Sequence, residues 1–156
     1  MAGLPTGPCP LRPDDGGGGA GGGLARVSGY LADACALIEF HATASPGMSA
    51  EGREAMAAGE VMVAPITLWE ILRKVALGKL PMPVPAGFSR GYPAWLRAQG
   101  YAMAPFDWED AALAARLPDH HRDPMDRMLI ATALRRDLTI ITRDAVFSSY
   151  GARTIW

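Results

Sequence analysis

Apolar positions along this chain fall into two spacings. Short, nearly continuous apolar runs occur at Tyr30-Leu31-Ala32, ending in Asp33, at Val61-Met62-Val63, at Tyr101 to Pro105, at Leu138 to Thr142 and at Ala152 to Trp156. Runs of this length without alternation predict strands buried on both faces. The segments between them have helical spacing. Ala34 to His41 carries Leu37, Ile38 and Phe40 in one register, and Ser49 to Ala58 turns Glu51, Arg53 and Glu54 outward and Met56 inward before Gly59. Thr67 to Leu77 places Leu68, Ile71, Leu72 and Val75 on one side and is closed by Gly78. Phe88 to Gln99 predicts a helix broken by Pro93, after a loop marked by Pro81, Pro83 and Pro85. Asp107 to Leu117 and Pro124 to Arg135 predict two more helices, and Ala145 to Tyr150 a short one. Strands alternating with helices predict an α/β fold with a parallel sheet covered on both faces. In such sheets, ligands bind beyond the carboxyl ends of the strands.

Composition separates the first 28 residues from the rest. They hold nine of the 18 glycines and four of the 13 prolines, with only Leu4, Leu11, Leu24 and Val27 to bury. Such a segment cannot offset its own ordering entropy, so residues 1–28 read as a disordered Gly/Pro-rich tail or a mis-assigned translation start. It lacks the basic start and apolar stretch of a signal peptide. Its glycine run at 16–23 has no preceding strand and no following Gly-Lys-Ser/Thr, which excludes a phosphate loop. Residues 29–156 form one domain, well within the usual size range. With 49% hydrophobic residues the chain can bury a core, and its net charge of −1 excludes a nucleic-acid wrapper driven by a global basic field. No apolar run approaches the roughly 20 residues of a membrane span. Two cysteines, Cys9 and Cys35, make no disulfide framework and point to a reducing cytoplasm.

The strand ends carry the chemistry. Asp33 ends the first strand, Glu70 lies in the first turn of the helix after the second, Asp126 in the first turn of the helix after His121-Arg122-Asp123-Pro124, and Asp144 two residues beyond Leu138 to Thr142. Each has a capping reading: Thr67 with Glu70 makes a capping box, Asp123 is an N-cap before Pro124, and Asp33 and Asp144 suit N-caps. Together, four helix starts on one sheet edge would crowd four carboxylates, which repel unless neutralised. A hard divalent cation such as Mg²⁺ or Mn²⁺ is the natural partner for an all-oxygen set. Such a centre performs phosphoryl chemistry. Arg73, Lys74, Arg122, Arg127 and Arg143 are the nearby candidates for phosphate contact, and Thr142 for a hydroxyl contact to a carboxylate. His120 and His121 lack the spaced partners of a metal motif and read as loop histidines. Trp95 and Tyr92 are candidates for a partner groove.

Four segments in this order carry a resemblance: YLADACALIEF, VAPITLWEILRKVALGKL, HRDPMDRMLIATAL and LTIITRDAVFSSYGARTIW. Over residues 29–156 the chain resembles a PIN domain, and within that family a VapC-type toxin ribonuclease of bacterial type II toxin–antitoxin systems. The resemblance implies a three-layer α/β/α sandwich with a central, mainly parallel sheet. It also implies a metal-dependent endoribonuclease with Mg²⁺ or Mn²⁺ held by Asp33, Glu70 and Asp126, with Asp144 as the fourth acid and Thr142 supporting them. An RNA substrate, a cognate antitoxin and a homodimer follow from the same resemblance. The family carries Thr or Ser where this chain has Cys35, which leaves the acid in place but removes a hydroxyl. Asp123 is the rival to Asp126, whose spacing to Ala131 and Ala133 fits the family pattern. A haloacid-dehalogenase phosphatase would need a second Asp at Cys35, a receiver domain an acidic pair at Ala32-Asp33, and a dinucleotide domain a glycine-rich first turn. The alternative of another class is a PIN module that binds RNA or protein without cleaving.

Overall fold

The computed structural model describes residues 29–41, 47–80 and 88–156. The expected tail at 1–28 and the proline loop at 81–85 lie outside the described residues. Within them, five strands form one sheet: β1 (Tyr30–Ala32), β2 (Val61–Val63), β3 (Ala102–Met103), β4 (Thr139–Ile141) and β5 (Thr154–Ile155). Their order is β3-β2-β1-β4-β5, and every pairing is parallel. The helices are α1 (Ala34–His41), α2 (Ala50–Ala57), α3 (Pro65–Ala76), α4 (Phe88–Ala98), α5 (Trp108–Arg116) and α6 (Pro124–Arg136), with a 3-10 helix at Ala145–Tyr150.

Side-chain alternation along the strands divides the interior into two layers. Ala32, Val61, Val63 and Ile141 face a cluster with Leu37 of α1, Met56 of α2, Ile71 of α3 and Leu96 of α4. Leu31 and Ile140 face the opposite cluster with Ala114 of α5, Leu129, Ile130 and Ala133 of α6, and Phe147. Helices therefore cover both faces. The chain steps outward from β1 through β2 to β3, then crosses to β4 and β5 on the other side of β1, so the strand order reverses between β1 and β4. The carboxyl ends of those two strands flank the crevice where this class of sheet binds ligands.

Three local expectations are corrected. Helix α3 begins at Pro65, with Ala64 as its N-cap and no side-chain cap bond, so Pro65 opens the helix instead of merely ending β2. Thr67 is therefore not the N-cap, and Glu70 lies in the second turn, outside any capping box. The Thr67 hydroxyl is buried and donates to the Ala32 carbonyl at 3.3 Å, tying α3 to the end of β1. Pro93 does not break α4, which runs continuously through it. The missing N–H costs one backbone bond, offset by burial of Tyr92 and Leu96 on either side. Tyr92 stacks on Trp95 at 5.3 Å between ring centres and is itself buried, so the pair belongs mainly to the interior.

A charged clamp joins α5 to α6. Asp107 caps α5 in a reciprocal capping box with Asp110. The carboxylate of Asp110, fully buried, also accepts from Arg135 Nη1 at 2.6 Å and from both terminal nitrogens of Arg136 at 2.8 Å.

The C-terminus is seated on α2. Trp156 Nε1 donates to the Gly47 carbonyl at 2.5 Å, and a Cβ built on Gly52 would lie 2.6 Å from the Trp156 carbonyl carbon. Glycine inside a helix is ordinarily the weaker choice by about 1 kcal/mol against alanine. Here the sign reverses: Gly52→Ala is expected to cost roughly 1–3 kcal/mol by overpacking against backbone. Urea denaturation checks this, and a stabilised variant would contradict the seating of Trp156.

Candidate functional site

The predicted acids do not form one tight cluster: Asp126 and Asp144 meet at His121, with ligand atoms within 4.8 Å of one another, while Asp33 and Glu70 stand outside that group but near enough for their charges to act on Asp126. Asp33 is the first residue after β1, and its backbone N–H donates to the Ile141 carbonyl at 3.2 Å. Its Oδ1 accepts from the Ala34 N–H at 2.5 Å, while Oδ2 accepts from the Thr142 hydroxyl at 2.8 Å. Thr142, buried immediately after β4, in turn accepts from the Asp144 N–H at 3.1 Å. One hydroxyl thus couples the ends of the two central strands, and Thr142 is a positioning group for Asp33. Asp144 Oδ1 accepts from the Val146 N–H at 2.9 Å and caps the 3-10 helix. Its other oxygen, Oδ2, lies 3.5 Å from His121 Nε2.

Cys35 retains the contact that a hydroxyl would make at its position. Its Sγ donates to Asp33 Oδ2 at 3.0 Å and lies 3.7 Å from the Thr142 hydroxyl. Burial, together with the negative charge of Asp33, pushes the thiol up to about 12, so Cys35 is a protonated donor at neutral pH. The missing hydroxyl is replaced by a thiol with the same hydrogen-bonding sense.

Asp126 lies in the first turn of α6, behind Pro124 at the helix start, and Asp123 serves as the N-cap through the Met125 N–H at 2.8 Å. The two acids thus have different occupations: Asp123 is exposed and capping, while Asp126 faces inward. Burial pushes the Asp126 carboxyl up to about 6, helped by the charges of Asp123, Asp33 and Glu70 and opposed by His121. The mutual charge of Asp33, Glu70 and Asp126 is therefore felt at one carboxyl. Glu70 is additionally paired with Lys74 at 2.5 Å, one helical turn on.

His121 is the residue that reasoning from sequence left aside. Its Nε2 lies 3.3 Å from Asp126 Oδ2 and 3.5 Å from Asp144 Oδ2, and the three groups have ligand atoms within 4.8 Å of one another. Only the loop conformation brings it there, since no spaced partner marks it in the sequence.

The basic candidates divide. Arg127 is engaged inward: Nη2 donates to the Leu117 carbonyl at 2.6 Å and Nη1 to the Pro118 carbonyl at 2.7 Å. It anchors the loop, and its Nη1 also pairs with Asp119 Oδ1 at 3.3 Å. Lys74 is partly committed to Glu70. Arg73, Arg122 and Arg143 are exposed.

A half-buried carboxylate, Asp126, with other acids around it suits a hard divalent cation, which favours oxygen donors and stabilises the ionised form. The PIN-domain family model matches residues 30–152. No curated protein matches the sequence. Among solved structures, FitAcB from Neisseria gonorrhoeae is similar with a TM-score of 0.57 and 19% identity, covering 81% of this chain and 96% of that one. FitAB bound to an IR36 DNA fragment is similar with a TM-score of 0.59 and 17% identity, covering 81% and 93%. At these identities the likeness to both is one of fold. Among the described residues no helix is long and apolar enough to cross a membrane.

Proposed function

The chain belongs to the PIN-domain family, and from that premise we propose that it is a divalent-metal-dependent endoribonuclease, the toxin of a type II toxin–antitoxin pair acting in the cytoplasm. The observation that carries the reading is geometric: the Thr142 hydroxyl joins Asp33 to the Asp144 backbone, and Asp126 and Asp144 both lie within 3.5 Å of His121 Nε2. A fold keeps such a cluster at a ligand crevice when a task requires it, since caps alone do not need to face one another. Asp33, Glu70 and Asp126 would hold Mg²⁺ or Mn²⁺, with Asp144 as the fourth acid. The cation would supply electrostatic stabilisation of the charge that develops on phosphodiester oxygens.

The chain's own residues supply the rest. Thr142 holds Asp33 at a fixed angle through its 2.8 Å bond, and Cys35 adds a second donor to the same oxygen. Arg73, Arg122 and Arg143 are the guanidinium groups left to meet RNA phosphates. An antitoxin that covers the crevice is the partner this role requires, and a homodimer is the expected assembly. The FitAB neighbour is bound to DNA. With a net charge of −1, this chain is poorly suited to bind DNA directly, and we assign such contact to its antitoxin.

The test uses antitoxin-free protein and total bacterial RNA with Mg²⁺ or Mn²⁺, with and without chelator. Discrete, chelator-sensitive cuts are expected. Metal binding without any cutting across RNA preparations would favour a binding module over a nuclease.

A further inference from the structure

His121 stands among carboxylates in the one arrangement that a metal-ligating histidine avoids. Such a histidine presents a bare ring nitrogen to the metal and gives its other N–H to a carbonyl or carboxylate. Here the order is reversed. His121 Nδ1 accepts from the backbone N–H of Asp123 at 3.0 Å, so in the neutral ring the hydrogen sits on Nε2. Nε2 stands between Asp126 Oδ2 at 3.3 Å and Asp144 Oδ2 at 3.5 Å.

The loop is built to hold it there. The His121 N–H donates to the Tyr150 hydroxyl at 2.6 Å, and Tyr150 closes the 3-10 helix that Asp144 caps. Arg127 grips the loop from below through the Leu117 and Pro118 carbonyls. Two elements that carry acids, α6 and the 3-10 helix, therefore also carry the groups that position the imidazole. The His121 side chain is 24% exposed, which leaves an open side toward which it can swing.

We propose that His121 is the internal occupant of the Asp126–Asp144 pair, its Nε2 standing between the carboxylate oxygens that a divalent cation takes, so that loading the cation requires the imidazole to withdraw. The inference rests on the metal reading above and adds a residue that sets how tightly the centre binds. A dication replaces the ring as partner of the two acids, and the contacts given up weaken its apparent affinity.

Mn²⁺ binding to the full chain at neutral pH, followed by the electron paramagnetic resonance signal of free Mn²⁺, tests this in wild type, His121→Ala and Tyr150→Phe. His121→Ala is expected to bind Mn²⁺ roughly two- to fivefold more tightly, the worth of a partly exposed pairing between the ring nitrogen and the two carboxylates. Tyr150→Phe keeps the ring but frees its backbone, and is expected to shift affinity the same way by a smaller factor. Unchanged affinity in His121→Ala would overturn the proposal. Weaker binding would also overturn it, by making His121 a ligand. Should His121→Ala fail to fold, the sign of the Tyr150→Phe shift decides. If wild type and variants alike bind no Mn²⁺, the metal reading itself falls and takes the inference with it.

Discussion

Asp126→Asn is expected to make the metal-free protein more stable at pH 7 while removing metal-dependent RNA cleavage. Burial pushes the Asp126 carboxyl up to about 6 from an ordinary value of 3.8, with Asp123, Asp33 and Glu70 adding to the effect and His121 opposing it. A carboxyl with a higher pKa folded than unfolded binds more protons in the native state between those two values. Stability contributed by its protonated form is present at low pH and is lost as pH rises through the window from about 4 to about 6. At pH 7 the ionised group is a net cost of at most about 3 kcal/mol. A neutral isostere removes that cost, and a gain of about 1–3 kcal/mol corresponds to several degrees in Tm for a domain of this size. Thermal melts in chelator at pH 4 and pH 7 check it. The variant's advantage is expected at pH 7 and should shrink toward pH 4. Added Mg²⁺ should raise the wild-type Tm more than that of the variant, and cleavage should fall at least about a hundredfold. A variant less stable than wild type at pH 7 would contradict the crowding of charge at this site.

Asp110→Ala is expected to do the opposite. Asp110 is also a buried acid, but its surroundings are positive: two guanidiniums and the Asp107 N–H at 2.9 Å converge on it. Burial alone would raise its carboxyl, yet the bonds from Arg136, Asp107 and Arg135 outweigh it and hold the group well below the usual carboxylate range. Truncation leaves those donors facing a cavity, and with the arginines still partly in contact with water the loss is about 2–4 kcal/mol. Its depressed pKa means that the clamp's contribution is present at neutral pH and lost only in strong acid. Chemical denaturation of Asp110→Ala beside Glu109→Ala separates the clamp from simple charge removal. Glu109 is exposed on the same helix, and its loss should stay within about 0.5 kcal/mol. Equal effects of the two substitutions would show that the clamp is not a stabilising unit.

The contrast between these two acids explains what could be read from the chain and what could not. The strands at Leu31, Met62 and Ile140 were legible because a strand buried on both faces must be apolar at consecutive positions, a local property. Parallel topology sends the ends of β1 and β4, and with them Asp33 and Asp144, to one edge; Asp126 opens a helix that follows α5 and not a strand, so its place beside Asp144 was not a local property. Capping was harder to read. Thr67 has the chemistry of an N-cap, but Pro65, with its fixed φ and absent N–H, suits the first helical position better, and the Thr67 hydroxyl found the Ala32 carbonyl instead. Asp110 looked like any acid near a helix start. Its arginine partners lie on α6, and nothing local announces them. The surroundings of Arg127 and His121 are non-local for the same reason: two Arg127 donors turn toward backbone carbonyls of the preceding loop. The direction of the His121 ring is set by Asp123 and Tyr150 together.

The central claim is that four carboxylates from four segments make one cation site. A crystal of the chain soaked in Mn²⁺ and measured for anomalous scattering tests it most directly. The expected result is a peak inside the crevice, about 2.0–2.2 Å from carboxylate oxygens that include those of Asp33 and Asp126, and absent from Asp126→Asn crystals treated alike. A crevice without a peak, in crystals whose surface acids do take up Mn²⁺, would mean that these acids serve the fold as caps and nothing more.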